Sequence, residues 1–107
     1  MTNQDTRLDA LGDPTRRRIL TRLRKQPMPV ASIAKGFRIS RPAISQHLKV
    51  LNHAGLVVDH AEGTRRIYEL NPAAFASLRE YFDELWDVAL QSFARRVESR
   101  ITTNDNE

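Results

Sequence analysis

Ile39-Ser40-Arg41-Pro42-Ala43-Ile44-Ser45-Gln46-His47-Leu48-Lys49-Val50-Leu51 decides how the rest of this chain is read. Ser40 fits a helix N-cap, because its hydroxyl accepts from the free amides of the first turn. Pro42 is tolerated in that turn, where the amides have no intrahelical partner to lose. Ile44, Leu48 and Leu51 then recur at steps of four and three, which puts them on one buried stripe. The opposite face carries Pro42, Gln46, Lys49 and His53, with Ala43 and Ser45 on its margins. Small, amide, hydroxyl and cationic side chains are what base edges and phosphates require. An ordinary amphipathic surface helix carries more Glu and Lys. The stretch reads as the recognition helix of a helix-turn-helix.

Working outward, the preceding segments supply the other helices. Thr6 to Leu11 reads as a short helix with Leu8 and Leu11 facing inward, ended by Gly12. Asp13-Pro14 restarts the chain as N-cap and first helical residue. The second helix runs to about Lys25 and buries Ile19, Leu20 and Leu23. Gln26 to Pro29 is a connector that Pro29 does not let continue as helix. Val30, Ile33, Ala34 and Phe37 fall at helical spacing, which predicts a third helix of about two turns. Arg38-Ile39-Ser40 is the tight turn, and Gly55 stops the recognition helix.

After Gly55 the periodicity changes. Leu56 to Ala61 and Arg65 to Leu70 are β-prone runs flanking Glu62-Gly63-Thr64, a hairpin that would form a wing. Asn71-Pro72 opens the final helix by the same cap-plus-proline logic. That helix is read to about Ile101, with residues 102–107 as a polar tail. The expected fold is mainly α with a small β-hairpin: a winged helix-turn-helix with a long C-terminal dimerisation helix. Residues 1–71 form the DNA-binding region and residues 72–107 the dimerisation helix and tail, in one compact domain.

The final helix carries more apolar side chains than a domain of this size needs for its own core. Phe75, Leu78, Phe82, Leu85 and Ala89 form one stripe, and Trp86, Leu90, Phe93 and Val97 form a second, rotated from the first. Two stripes suggest that one is covered by a partner, the alternative being a deep groove of the chain's own domain. The expected interface comprises Phe82, Leu85, Trp86, Ala89, Leu90, Phe93 and Val97, with Leu8 and Leu11 of the first helix.

Composition limits the function classes. At 107 residues the chain holds one small domain, with no room for a separate catalytic one. The absence of cysteine excludes disulfides, thiol redox switching and thiolate metal sites. No apolar run approaches a membrane span, and Met1 to Thr6 lacks the pattern of a signal peptide, so a cytoplasmic protein with no membrane partner is expected. The formal net charge is +4, but residues 1–71 hold thirteen Lys and Arg against six Asp and Glu, while residues 72–107 hold four against seven. The basic footprint coincides with the helix-turn-helix, as a phosphate-facing surface should.

Four stretches taken in order, Leu11-Gly-Asp-Pro-Thr-Arg-Arg-Arg-Ile-Leu20, Ser40 to Leu51, Ala54-Gly-Leu-Val57 and Gly63-Thr-Arg-Arg-Ile-Tyr68, resemble the ArsR (arsenic repressor) family of bacterial winged-helix regulators. The resemblance spans roughly Leu8 to Leu70, and the final helix fits it in position and length. It implies a homodimeric repressor that binds a twofold-symmetric operator, often its own, and releases it when an effector, often a metal ion, binds. The chain departs from the metal-sensing pattern. Val30 to Phe37 holds no Cys, and the last helix offers Glu80, Asp83, Glu84 and Asp87 but no His. The similarity is closer to members without metal ligands, so no metal and no other cofactor is expected.

The candidate DNA-binding residues follow from these readings. Phosphate contacts are assigned to the Ser40 hydroxyl and nearby amides, Lys49, and Arg16 or Arg17. Base readout is assigned to Arg41, Ser45 and Gln46, Gln suiting the adenine edge and Arg the guanine edge, with Ala43 alongside. Arg65 and Arg66 of the wing would enter the minor groove, or serve as ordinary edge-strand charge. His47 either packs at the core margin or touches a phosphate; His53 lies about 240° further around the helix, so the two cannot share an ion. His60 falls in the wing strand. Three other classes stand beside the regulator reading. A winged-helix protein-interaction module would need apolar anchors that Pro42 to Lys49 largely lacks. A metal-responsive repressor would have to use carboxylates and histidine. An enzyme would need a phosphate loop or a nucleophile set against a base, and neither is present. The sequence names no effector.

Overall fold

The computed structural model describes residues 3–105, which divide into two compact units between Phe75 and Ala76. In the first, helix α1 spans Asn3–Leu11 and helix α2 spans Pro14–Leu23. The break between them is made by Asp13, in extended conformation, whose Oδ1 accepts from the Arg16 amide at 3.0 Å. The Arg16 amide is one of the orphan donors of a helix start, and satisfying it fixes where α2 begins. That amide holds the Asp13 carboxyl below its usual pKa of 3.8 against an opposing effect of burial; the Thr15 amide and the charges of Arg16 and His47 add to the lowering. Of α1 only Ala10 is buried; Leu8 and Leu11 are half-buried rather than core residues.

Helix α3 is a single turn, Val30–Ala34, and Phe37 lies beyond it. The expected second turn is cut off because Lys35 turns extended and Gly36 takes a φ of +88°, in the left-handed region open to glycine. Arg22 bridges α2 to α3 by donating from Nε and Nη2 to the Ser32 carbonyl at 3.1 and 2.9 Å. Helix α4 spans Arg41–His53, with Ser40 as N-cap: the Ala43 amide donates to its Oγ at 3.2 Å. At its C-terminus the Gly55 amide donates to the Asn52 carbonyl at 2.9 Å and the Leu56 amide to the Leu51 carbonyl at 3.0 Å. This paired closure requires a left-handed residue, and Gly55 supplies it with a φ of +77°.

Strands β2 (Val57–Glu62) and β3 (Arg65–Leu70) pair antiparallel from Val57 opposite Leu70 to Glu62 opposite Arg65. The Gly63-Thr64 turn closes the hairpin, with Gly63 at a φ of +63°. The connector before α3 contributes an element that local sequence reasoning does not find. Met28–Pro29 forms a two-residue strand, β1, pairing with β3 at Tyr68 and Ile67, so the sheet has three strands in the order β1-β3-β2. Proline is compatible with this place because β1 is an edge.

The core is built mainly from α2, α3, α4 and the sheet. Ile19, Leu20 and Leu23 of α2, Ile33 of α3, Ile44, Leu48 and Leu51 of α4, Leu56 just before β2, and Val57 and Ile67 of the sheet are all buried. No polar or charged side chain among the described residues is buried with them. Asn71 leads into α5 (Pro72–Asp105): its Oδ1 accepts from the Ala73 amide at 3.3 Å and its Nδ2 donates to the Gly55 carbonyl at 2.8 Å. Helix continues past Ile101 to Asp105, so residues 102–105, expected as tail, are helical; residues 106 and 107 lie outside the described residues.

Candidate nucleic-acid interface

Three turns of α4 are held by one buried edge, which leaves the opposite edge to solvent. Arg41, Pro42, Ser45, Gln46, Lys49 and His53 are exposed, while Ala43 and His47 are half-buried at the margins. The helical wheel read from the sequence is therefore the one present in three dimensions. The exposed edge carries two cations, an amide and a hydroxyl and no carboxylate, donor types that suit purine edges and phosphate oxygens alike.

The wing meets α4 through a polar relay. Asn52 Nδ2 of α4 donates to Asp59 Oδ1 of β2, and Arg66 Nη1 of β3 donates to Asp59 Oδ2 at 2.8 Å. Asp59 is only 23% exposed and holds the two partners from different elements against each other. Tyr68, opposite Asp59 on β3, has its phenol pushed above its ordinary pKa by burial first and by the Asp59 charge second, with Arg66 opposing. By sequence Arg65 and Arg66 are equivalent wing cations, yet in the fold they differ. Arg66 is bound back to Asp59, whereas Arg65 makes no ion pair or side-chain hydrogen bond to the described residues. Strand alternation alone separates their faces, but only the partner identifies which one is committed.

Arg16 and Arg17, also candidates for phosphate contact, have local work. Arg16 Nε donates to the Ala10 carbonyl at 2.7 Å and its Nη2 to the Asp9 carbonyl at 3.4 Å; Arg17 Nη1 donates to the Leu11 carbonyl at 2.8 Å. They cap the C-terminal carbonyls of α1, which have no intrahelical donors. Arg17 remains exposed while Arg16 is half-buried. The His60 imidazole stands 3.8 Å from the Glu62 carboxylate on the exposed wing. Among the described residues no group of three or more His, Asp or Glu is placed to hold a metal ion.

The second unit is the body of α5. Leu78, near its start, is buried, but from Phe82 onward its large apolar side chains are not. Phe82, Leu85, Trp86, Leu90, Phe93 and Val97 are all exposed, Trp86 at 64% and Phe93 at 59%, and Val88 and Ile101 join them. Ala89 is exposed as well. Of the first stripe, Leu78 is buried and Phe75 half-buried, while Phe82, Leu85 and Ala89 are exposed. Phe82 makes an edge contact with the Tyr81 ring, their centroids 5.4 Å apart. No described helix is long and apolar enough to cross a membrane.

Comparison with known proteins agrees with this geometry. Residues 13–58, from the cap of α2 into β2, match the model of the bacterial regulatory protein, arsR family. The HTH-type transcriptional regulator Rv2034 of Mycobacterium tuberculosis is 46% identical over 95 residues, covering 89% of this chain and 89% of that protein. The transcriptional repressor SdpR of Bacillus subtilis is 45% identical over 62 residues, 58% of this chain and 69% of SdpR. A homodimeric winged helix-turn-helix DNA-binding domain from Mycobacterium bovis superposes with a TM-score of 0.64 at 28% identity, over 77% of this chain and 80% of that one. With its capped recognition helix, its wing and these relatives, the chain belongs to the ArsR family of winged helix-turn-helix transcriptional regulators.

Proposed function

We propose that this regulator is a homodimeric repressor that binds a twofold-symmetric DNA operator, without a metal ion and without catalysing a reaction, in the cytoplasm. The observation that carries the reading is the exposed edge of α4, where Arg41, Ser45, Gln46 and Lys49 stand free of carboxylates on a helix whose other edge is fully buried. In this reading Arg41, Ser45 and Gln46 read bases, with Ala43 small enough to allow close approach. The Ser40 hydroxyl, Lys49, His47 and Arg17 serve the phosphates, with Arg16 in a lesser role because two of its nitrogens already hold α1. Arg65 reaches the adjacent groove, and Asp59 and Asn52 set the position from which Arg66 and the wing act. The dimer forms through Phe82, Leu85, Trp86, Ala89, Leu90, Phe93 and Val97, with Leu8 and Leu11 contributing from α1. A second copy is the natural cover for so much apolar surface, and the M. bovis neighbour is homodimeric.

In a homodimer two α4 helices meet successive major grooves about 34 Å apart. Footprinting on the DNA upstream of the chain's own gene tests this. The expected result is protection of an inverted repeat with a steep salt dependence, unchanged by chelator or by micromolar zinc, cobalt or nickel. Protection of a single unrepeated site, or a saturable response to one of these metals, refutes the corresponding part of the reading.

A further inference from the structure

Beside the C-terminal half of α2 lies an open cavity of about 540 Å³ that the DNA-binding reading does not use. Arg18, Arg22, Arg24 and Lys25 line it from α2 and the residues that follow, and Lys35 lines it from the end of α3. No Asp or Glu faces it. Met28 and Phe37 supply an apolar wall, and the Arg18 guanidinium lies over the Phe37 ring at 4.8 Å from its centroid. Arg22 is partly spent on the Ser32 carbonyl. Arg24, Lys25 and Lys35 extend no side-chain hydrogen bond or ion pair to the described residues.

Cations converging on one concavity raise its potential and draw anions into it. Guanidinium and ammonium groups together suit phosphoryl oxygens, the first by paired donors and the second as a point charge. A volume of this order accommodates a small molecule, and such sites combine an apolar wall with a few convergent polar groups. We propose that this cavity binds a small organic phosphate, its phosphoryl group held by Arg24, Lys25 and Lys35 and its apolar body laid against Phe37 and Met28. A DNA phosphate is the competing occupant, but a sugar-phosphate backbone has no use for a wall of ring and thioether. Phe37 belongs to the segment joining α3 to α4, so an occupant here touches the support of the recognition helix.

Binding is tested on the full chain in the absence of DNA, so the outcome does not depend on whether the operator reading holds. Calorimetric titration with phenyl phosphate should saturate at one per chain, inorganic phosphate should bind more weakly, and benzyl alcohol should give no signal. Lys25→Gln with Lys35→Gln should weaken phenyl phosphate about tenfold or more, the loss of charge-assisted contacts, while leaving the thermal melt in place. Phe37→Leu should weaken phenyl phosphate and leave inorganic phosphate unchanged. No saturable binding of phenyl phosphate, or equal binding by the double lysine variant, overturns the proposal. So does a double variant whose only defect is a flatter salt slope on duplex DNA, which would give the cavity to the nucleic-acid backbone.

Discussion

Replacing Trp86 by alanine should separate the protomers, and the expected size of the effect follows from exposure. Trp86 is 64% exposed in the single chain, which for an indole side chain of up to about 250 Å² leaves roughly 160 Å² in water. Covering half of that at about 25 cal/mol per Å² contributes about 2 kcal/mol per protomer. A twofold interface uses the same patch on both sides, so the dimer gains about 4 kcal/mol, close to a 10³-fold change in Kd. Alanine keeps its β-carbon and neighbours relax into part of the gap, which lowers the expected loss to roughly 10²–10³-fold. Sedimentation velocity over a concentration series from nanomolar to high micromolar reads this directly. Trp86 is also the chain's single tryptophan, so its emission in the unaltered protein should shift to the red on dilution as the indole returns to water. A Trp86→Ala protein that sediments as the unaltered one does, together with emission that ignores dilution, would refute the reasoning. The interface would then have to be sought at Leu8 and Leu11 of α1.

Gln46→Ala should cost roughly 1–3 kcal/mol on the operator and little on random duplex, because base contacts discriminate while phosphate contacts do not; equal losses in a fluorescence anisotropy titration of both DNAs would remove Gln46 from readout. Arg65→Ala should flatten the salt slope of DNA binding by about one unit, whereas Arg66→Ala should flatten it less, since Asp59 already neutralises that guanidinium. Equal slopes for the two variants would mean that the Asp59 pair opens on DNA. The pH dependence of folding follows from Asp13, whose pKa lies below the usual 3.8 in the folded chain. A depressed carboxyl stabilises the fold above its unfolded pKa, and that contribution is lost as pH falls through the folded value. Melting temperatures should therefore drop below about pH 4 by a component that Asp13→Asn, which keeps the acceptor and loses the charge, does not show; an identical acid profile for the variant would assign the loss to other carboxylates.

Much of this architecture is local chemistry and is legible in the sequence for that reason. Ser40 and Asp13 accept from amides three residues on, Gly55 supplies the left-handed residue a helix closure needs, and Gly63 does the same at the wing. The buried edge of α4 is equally legible, because 3.6-residue periodicity alone decides which side chains share a face. What escaped local reasoning depends on partners distant in the chain. Met28 and Pro29 become a strand only because β3 offers an unpaired edge some forty residues later, and no pattern of two residues announces that. Helix α3 ends a turn early because Gly36 takes up a left-handed backbone, a choice that helical spacing through Phe37 conceals. Arg16 and Arg17 look like free cations until the carbonyls of α1 come within reach, and Arg65 and Arg66 look alike until Asp59 selects one. The sequence by itself determined where α2 and α4 begin, where α4 stops and which edge of α4 is buried, since each rests on interactions or spacing within a few residues. Only the tertiary structure decided which cations remain free for a phosphate, because a guanidinium's commitment is set by whichever acceptor folding brings within about 3 Å.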